Sequence, residues 1–390
     1  MTGSLIYKFI KSLFKIPRSL TGDGVRETLS YLKQLMPSLK IHNVQSGSRA
    51  FDWTVPDEWN IRDAYIADEF GNKIVNFLEN NLHVVGYSLP IDKLIHLDEL
   101  EGHLHSLVDQ PDAIPYITSY YNPYWGFCLK HSQRQKLKKG PYHVVIDSDL
   151  KPGVLNYGEI VIPGDVDEEI FLSTYICHPS MANNELSGVV VATALARFLL
   201  SLNERKYTYR IIFIPETIGS IVYLSKNIAH LREKVIAGFQ ITCVGDERCY
   251  SYLPSRLGGT LSDDVALHVL KHTDKNFKKY TWLERGSDER QYCSPGIDLP
   301  VCSVMRTKYL EYDEYHTSLD DLNFISPSGL NGAYEVYCSI IDILENNYNY
   351  TNMILCEPQL GRRGMYPSTN TKNSNSSVAV MMNFLTYCDG

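Results

Sequence analysis

Four features missing from this sequence each remove a class of protein. Its nine cysteines, at 128, 177, 243, 249, 293, 302, 338, 356 and 388, never stand at CxxC spacing, and several lie in apolar runs such as STYIC and QITCV. They read as reduced, buried thiols in a cytoplasmic protein. No apolar run approaches membrane-spanning length, and Lys8, Lys11 and Lys15 interrupt the N-terminal MTGSLIYKFIKSLFKI where a signal peptide needs an unbroken core. Positive charge is not in excess: 37 basic against 45 acidic residues give a net −8, which argues against a nucleic-acid footprint over the whole surface. The G-x-S-x-G elbow is absent, so Ser180 and Ser187 do not suggest serine hydrolysis.

What is present is an ordinary globular composition, 44% hydrophobic and 21% charged, at a length that favours a large core with a smaller companion. Ile6, Phe9, Ile10, Leu13 and Phe14 repeat with the spacing of an amphipathic helix. After the turn RSLTGDG, Asp23 is placed to cap a second helix through Val25, Leu29, Leu32 and Met36. Residues 47–163 change character to short strand-like pieces broken by turns, from FDWTVP through LHVVGYSL and YHVVIDSDL to GEIVIPG, and read as a small β-rich domain. From residue 164 buried strands alternate with helices, which predicts an α/β body with a mostly parallel sheet covered on both faces. That body comprises 1–46 and 164–390, with 47–163 inserted. EPQLGRRGMYPSTNTKNSNSS reads as loop and VAVMMNFLTYC as one more helix.

In such a sheet ligands collect at the carboxyl ends of the strands. Polar residues follow apolar strands at Cys177-His178-Pro179-Ser180 with Asn183-Asn184-Glu185, at Pro215-Glu216-Thr217, at Gly245-Asp246-Glu247 and at Tyr315-His316-Thr317-Ser318. Singly, each would most often cap a helix or hold a loop. Together, two imidazoles and carboxylates arriving from separate strands form the set that Zn²⁺ takes in open sites, with Glu216 as general base.

The stretches RSLTGDGVRETL, FDWTVPDEWNIRDAYI, STYICHPSMANNELSG, PETIGS, ITCVGDER, RGSDERQYCSPGIDLPV and EYHTSLDDL resemble those of a bacterial family of aminopeptidase-like proteins. This family is known as a domain of unknown function and is frequently encoded near polysaccharide-biosynthesis genes. The resemblance covers most of the chain and implies a zinc-exopeptidase-like core, similar to zinc aminopeptidases and glutaminyl cyclases, with an inserted small β domain. It also implies a winged helix, expected to begin after 390. Carried over by position, His178, His316 and Asp246 would bind metal, Glu216 would act as base and Asp288 would support the site. Asn184 stands where di-zinc relatives carry a bridging Asp, and Thr217 where they carry a second Glu, so one zinc is expected and a second is not.

Arg18 in the opening turn, together with Arg290, Arg306 and Tyr315 beside the proposed site, are candidates to hold substrate; for Arg18 a turn-locking role weighs equally. Trp53, Trp59 and Trp125 are expected to pack, and His103 and His105 to hydrogen-bond rather than bind metal. The sequence therefore predicts a hydrolase of a small peptide or amide-containing substrate, with no nucleic-acid or membrane partner and an open oligomeric state. The alternative is a peptidase-like binding or regulatory protein without catalysis.

Overall fold

The computed structural model describes residues 2–348, 350–365 and 376–389. Two compact units divide the chain, residues 1–341 and 342–390.

The first unit opens with α1 (Gly3–Leu13) and α2 (Asp23–Leu35). Ile6, Phe9, Ile10 and Leu13 of α1 are buried, as their spacing predicts, and Phe14 is the capping residue beyond the helix. Asp23 does not cap α2. That place belongs to Gly22, at φ 96°, because a Cβ there would stand 2.2 Å from the Trp59 carbonyl. Asp23 instead begins the first turn, where its charge suits the helix N-terminus and pairs with Arg26 at 2.6 Å.

Strand β1 (Lys40–Gln45) follows, then the tight hairpin β2 (Arg49–Ala50) and β3 (Trp53–Thr54). The inserted sheet is built from β4 (Glu58–Ala67), β5 (Lys73–Asn76), β6 (Ile91–His96) and β9 (Pro141–Lys151), in the order β5-β4-β9-β6 and wholly antiparallel. Between β6 and β9 lie the one-turn helices α3 (Leu97–Leu100) and α4 (His131–Arg134) and the short parallel pair β7 (Leu104–His105) and β8 (Phe127–Cys128). His103 Nδ1 meets the Trp125 carbonyl at 2.7 Å and His105 Nε2 the Tyr124 hydroxyl at 2.9 Å. Both are hydrogen-bonding residues, as expected. Trp59 is packed, its indole N–H donating to the Ser88 carbonyl at 2.9 Å.

The insertion is shorter than residues 47–163. Strand β10 (Val154–Ile162), which carries GEIVI, joins the main sheet between β1 and β12 (Thr208–Ile214). It belongs there because both its faces are largely buried, whereas the strands of the insertion are half exposed.

The main sheet has eight strands, adding β11 (Glu169–Tyr175), β13 (Val235–Gln240), β14 (Ser251–Leu253), β15 (Lys278–Lys279) and β16 (Val301–Met305), in the order β1-β10-β12-β11-β13-β16-β14-β15. Only its centre, β12-β11-β13-β16, is continuously parallel; β1, β10 and β14 run antiparallel to their inner neighbours. Four of the seven strand pairings are parallel, as expected of a mostly parallel sheet, and the parallel centre is the part that directs strand ends to one edge. Helices α5 (Ser187–Ser201), α6 (Ile218–Lys234), α7 (Leu261–Thr273), the single turn α8 (Glu289–Tyr292) and α9 (Pro327–Asn346) connect and flank the strands. α5 is apolar on nearly every side because it is buried on nearly every side. With the turn before it, residues 182–201 are long and apolar enough to cross a bilayer, but 78% of that window is buried, which marks a core helix; among the described residues no other helix passes the same test.

In the second unit, EPQLGRRG contains a 3₁₀ turn at Gly361–Arg363, and the expected last helix runs over Ser376–Thr386 as α10. The remainder of the expected loop, residues 366–375, lies outside the described residues.

Candidate metal site

His178 stands just beyond β11, followed by a π-helical turn over Ala182–Leu186 that leads into α5. Such turns recur where a helix must present side chains to a site. This one is pinned by Asp320, whose carboxylate accepts the amides of Asn183 at 2.6 Å and Asn184 at 2.9 Å. The turn points Glu185 back beneath His178, where Glu185 accepts the Cys177 amide at 2.6 Å, the His178 amide, and Arg18 Nε at 2.5 Å. His178 Nδ1 lies 3.2 Å from the same carboxylate, so Nε2 faces outward, 3.8 Å from Glu216. An imidazole held by a carboxylate at one nitrogen, with the other free, is the usual posture of a metal-ligating histidine.

His316 completes a facing pair, its ring centroid 5.3 Å from that of His178. It adopts φ 54°, a strained conformation for a non-glycine residue, and Tyr315 stacks on it at 3.9 Å. His316 Nε2 is buried and has no hydrogen-bond partner. Burial, and then the neighbouring His178, push its pKa down to about 3, so the ring is neutral at any ordinary pH. Burial opposes charging of His178 too, but the hydrogen bond to Glu185 and the Glu216 charge outweigh it and raise its pKa.

Glu216 and Thr217 form the turn from β12 into α6, with Thr217 at φ 62°. Burial raises the Glu216 pKa against the pull of His178 and Arg290. Behind Glu216, Asp288 accepts the Thr217 amide and the Ser220 hydroxyl, each at 2.8 Å, while its second oxygen is buried without a partner. Burial and the Glu216 charge push Asp288 up to about 8, so the two acids carry less than two charges near neutrality. Arg290 donates to the Thr217 hydroxyl at 2.5 Å and, with His178, Glu216 and His316, lines a cavity of about 350 Å³.

Asp246 is not brought to this pair. It lines a different cavity with Arg248, Glu314 and Asp321, and both its oxygens are engaged: by Thr307 Oγ1 at 2.7 Å and the Arg248 amide at 2.9 Å, and by the Thr307 amide at 2.9 Å and Asn183 Nδ2 at 3.2 Å. The strand-end rule placed it correctly beyond β13 but could not give the direction of its side chain, which Thr307 fixes from elsewhere in the chain. Nor does Arg18 line the cavity beside the histidines. It is buried, with Nε on Glu185 and on the His178 carbonyl at 3.1 Å and Nη1 on the Leu13 carbonyl at 2.7 Å, and so locks the helix pair to the site. Arg306 stacks on Tyr250 at 3.9 Å and does not line the cavity. Tyr315 likewise acts on His316 rather than in the cavity. Asn184 holds its carbonyl oxygen to the Tyr175 hydroxyl at 2.7 Å, and its buried amide nitrogen has no partner.

Two residues missed in the sequence come from the insertion. The Tyr116 ring lies 5.1 Å from both His178 and His316, and Pro115 pairs with Thr317, so segment 113–121 closes over the histidines. Tyr120 joins Tyr116 at 3.2 Å between hydroxyls and lines the same cavity. The aromatic density of AIPYITSYY was the signal. Trp53, expected to pack, lines the cavity as well and is 41% exposed.

The residues fit a metal in part. The neutral, unpartnered Nε2 of His316, on a ring 5.3 Å from that of an oriented His178, suits a transition metal. Cys177, His178 and Glu185 also bring potential ligand atoms within 4.8 Å of one another. Glu185 is already consumed by Arg18 and two amides, however, and burial pushes the Cys177 thiol well above its usual range. That trio is therefore structural.

A sheet with a parallel centre, with His178 and Glu216 just beyond β11 and β12 and His316 brought to them from the loop after β16, fits an aminopeptidase-like α/β protein. The zinc aminopeptidase BSAP of Bacillus subtilis shares the fold at a TM-score of 0.63 and 12% identity, over 90% of this chain and 97% of that one. A glutaminyl cyclase from an Acidobacteriales bacterium does so at 0.50 and 13%, over 88% and 94%. Residues 7–347 match the family described as a domain of unknown function (DUF4910), and the chain belongs to that family. A Clostridium acetobutylicum protein named for polysaccharide biosynthesis and an aminopeptidase-like domain is 47% identical over 366 residues, 94% of this chain and 83% of that protein. A crystal structure from the same organism, described only as a candidate peptidase, superimposes at a TM-score of 0.89 with 44% identity, over 99% and 93%. Residues 348–390 match a winged helix-turn-helix family, so the part that resembles a winged helix begins at 348 and not after 390.

Proposed function

We propose that this chain is a metal-dependent hydrolase of a peptide or amide bond, in which His178 and His316 hold a single zinc ion and Glu216 is the general base. The observation that carries the reading is the buried, neutral His316 Nε2, left without a partner opposite His178. Such a nitrogen costs free energy unless something occupies it. Bound there, zinc would supply Lewis acidity toward a carbonyl oxygen.

The remaining work falls to the chain's own side chains. Glu185 fixes the tautomer and direction of His178, and stacking by Tyr315 holds the plane of the His316 ring. Glu216, raised in pKa by burial and backed by Asp288, is suited to accept a proton from a water in the cavity and return it to a leaving amine. Arg290 and the Tyr116–Tyr120 wall orient the substrate and narrow the access of bulk water. The name of the Clostridium relative supports an amide in a surface-polysaccharide precursor as the substrate class. Nine free cysteines, five of them buried, support a reducing compartment such as the cytoplasm.

A second reading is a peptidase-like binding protein, and the commitment of Asp246 to Thr307 favours it, because it takes away the carboxylate ligand expected beside the two imidazoles of a catalytic site. The readings separate on turnover of aminoacyl p-nitroanilides and N-acyl amino sugars with added zinc. The hydrolase predicts turnover that Glu216→Gln abolishes with zinc still bound; zinc binding without turnover in either form leaves the binding protein.

A further inference from the structure

Beside the catalytic cavity runs a second, apolar groove of about 440 Å³, lined by Phe51, Trp53, Ile221, Leu224, Ile228 and Ile297. One wall is α6, from which Ile221, Leu224 and Ile228 project at i, i+3 and i+7 and so form a single stripe. The other is the β2–β3 hairpin. Trp53 lines both this groove and the cavity that holds His178, Glu216 and His316, so the two spaces share that one side chain as a wall. The Trp53 ring is steadied edge-on by Tyr121 at 6.0 Å, and the Tyr121 hydroxyl donates to the Thr54 carbonyl at 3.0 Å.

The hairpin is built against local preference. Arg49 pairs with Thr54 and Ala50 with Trp53, leaving a two-residue loop of Phe51-Asp52. Such loops favour Asn-Gly or a related pair because the first position takes positive φ. Here a bulky Phe51 occupies that position at φ 54° and remains 52% exposed. A strained aromatic that gains little burial points to a use other than packing.

We infer that the substrate carries a long apolar substituent, an acyl or alkyl chain attached to the amide, that lies in the groove between Phe51 and the α6 stripe with Trp53 at its entrance. The inference rests on the proposed amide-binding role of the cavity, but its contacts involve neither histidine. Apolar chains gain affinity with length only while each added methylene finds a wall, and this groove offers one beyond the cavity.

The test titrates N-acetyl-, N-butanoyl-, N-hexanoyl- and N-octanoyl-glycinamide into the full chain by calorimetry, with zinc and again after chelation. Binding should tighten several-fold for each two carbons, equally in both conditions. Ile228→Asp, a partly exposed change on the helix surface, should flatten the series. Phe51→Gly should flatten it while the unfolding midpoint holds or rises, because glycine relieves the strained turn. No dependence on length, or a dependence unchanged in both variants, overturns the inference. So does a groove that both variants show by gel filtration to be an interface between copies. Loss of turnover with the length series intact would count against the hydrolase reading alone.

Discussion

Replacing Glu216 by glutamine keeps its shape and removes its basicity, so kcat should fall by roughly 10²- to 10⁴-fold while zinc still binds. Steady-state kinetics beside metal analysis would check this, and loss of both together would make Glu216 a ligand instead. Arg18 and Glu185 form a pair with no exposed side-chain surface. Arg18→Ala would strand the Glu185 charge and should cost about 3–5 kcal/mol in denaturant unfolding; a cost below ~1 kcal/mol would show that the pair does not brace the site. Asn184→Asp adds a negative charge next to Tyr175, whose ring lies 5.3 Å from that of His178, and should tighten zinc binding at least tenfold by competition with a chromophoric chelator. At this scale the sequence was only partly legible. His178 and Glu216 follow from strand ends and polar type, whereas His316 lies in the loop after β16, and the side-chain directions of Asp246 and Arg18 depend on Thr307 and Glu185, partners far away in the chain.

Among the elements, α7 offers a clean pH test. Its Thr260 and Asp263 cap each other reciprocally, and Asp263 also accepts Tyr252 at 2.7 Å and the Ser255 hydroxyl at 2.6 Å. Burial opposes the Asp263 charge, but these hydrogen bonds prevail and hold its pKa below the ordinary value of 3.8. A depressed carboxylate stabilises the fold above its unfolded pKa and loses that contribution as pH falls through the folded value. Asp263→Asn should therefore cost about 1–3 kcal/mol at pH 7, and the gap in urea midpoints between native and variant should close below pH 4. A gap independent of pH would contradict the assignment. Element type was well written in the chain, since the α1 stripe carries the helical period and the buried strands of the centre are short, continuous apolar runs. Element membership was not: β10 resembles the strands of the insertion by composition, and only its partners β1 and β12 place it in the main sheet.

For the whole molecule, the insertion supplies more than an added domain. Its segment 113–121 covers the histidines and its preceding hairpin borders the cavity, so the cavity is walled in part by residues outside the aminopeptidase-like core. Sequence separation hid this, because Tyr116 and His316 meet only after the sheet is assembled. The central claim, that the facing histidines hold one metal ion, is tested most directly by zinc content after loading and exhaustive dialysis, for the native chain and His316→Ala. The account predicts about one equivalent in the native protein and none in the variant. No retained zinc in the native chain, or an equal amount in both, would contradict it.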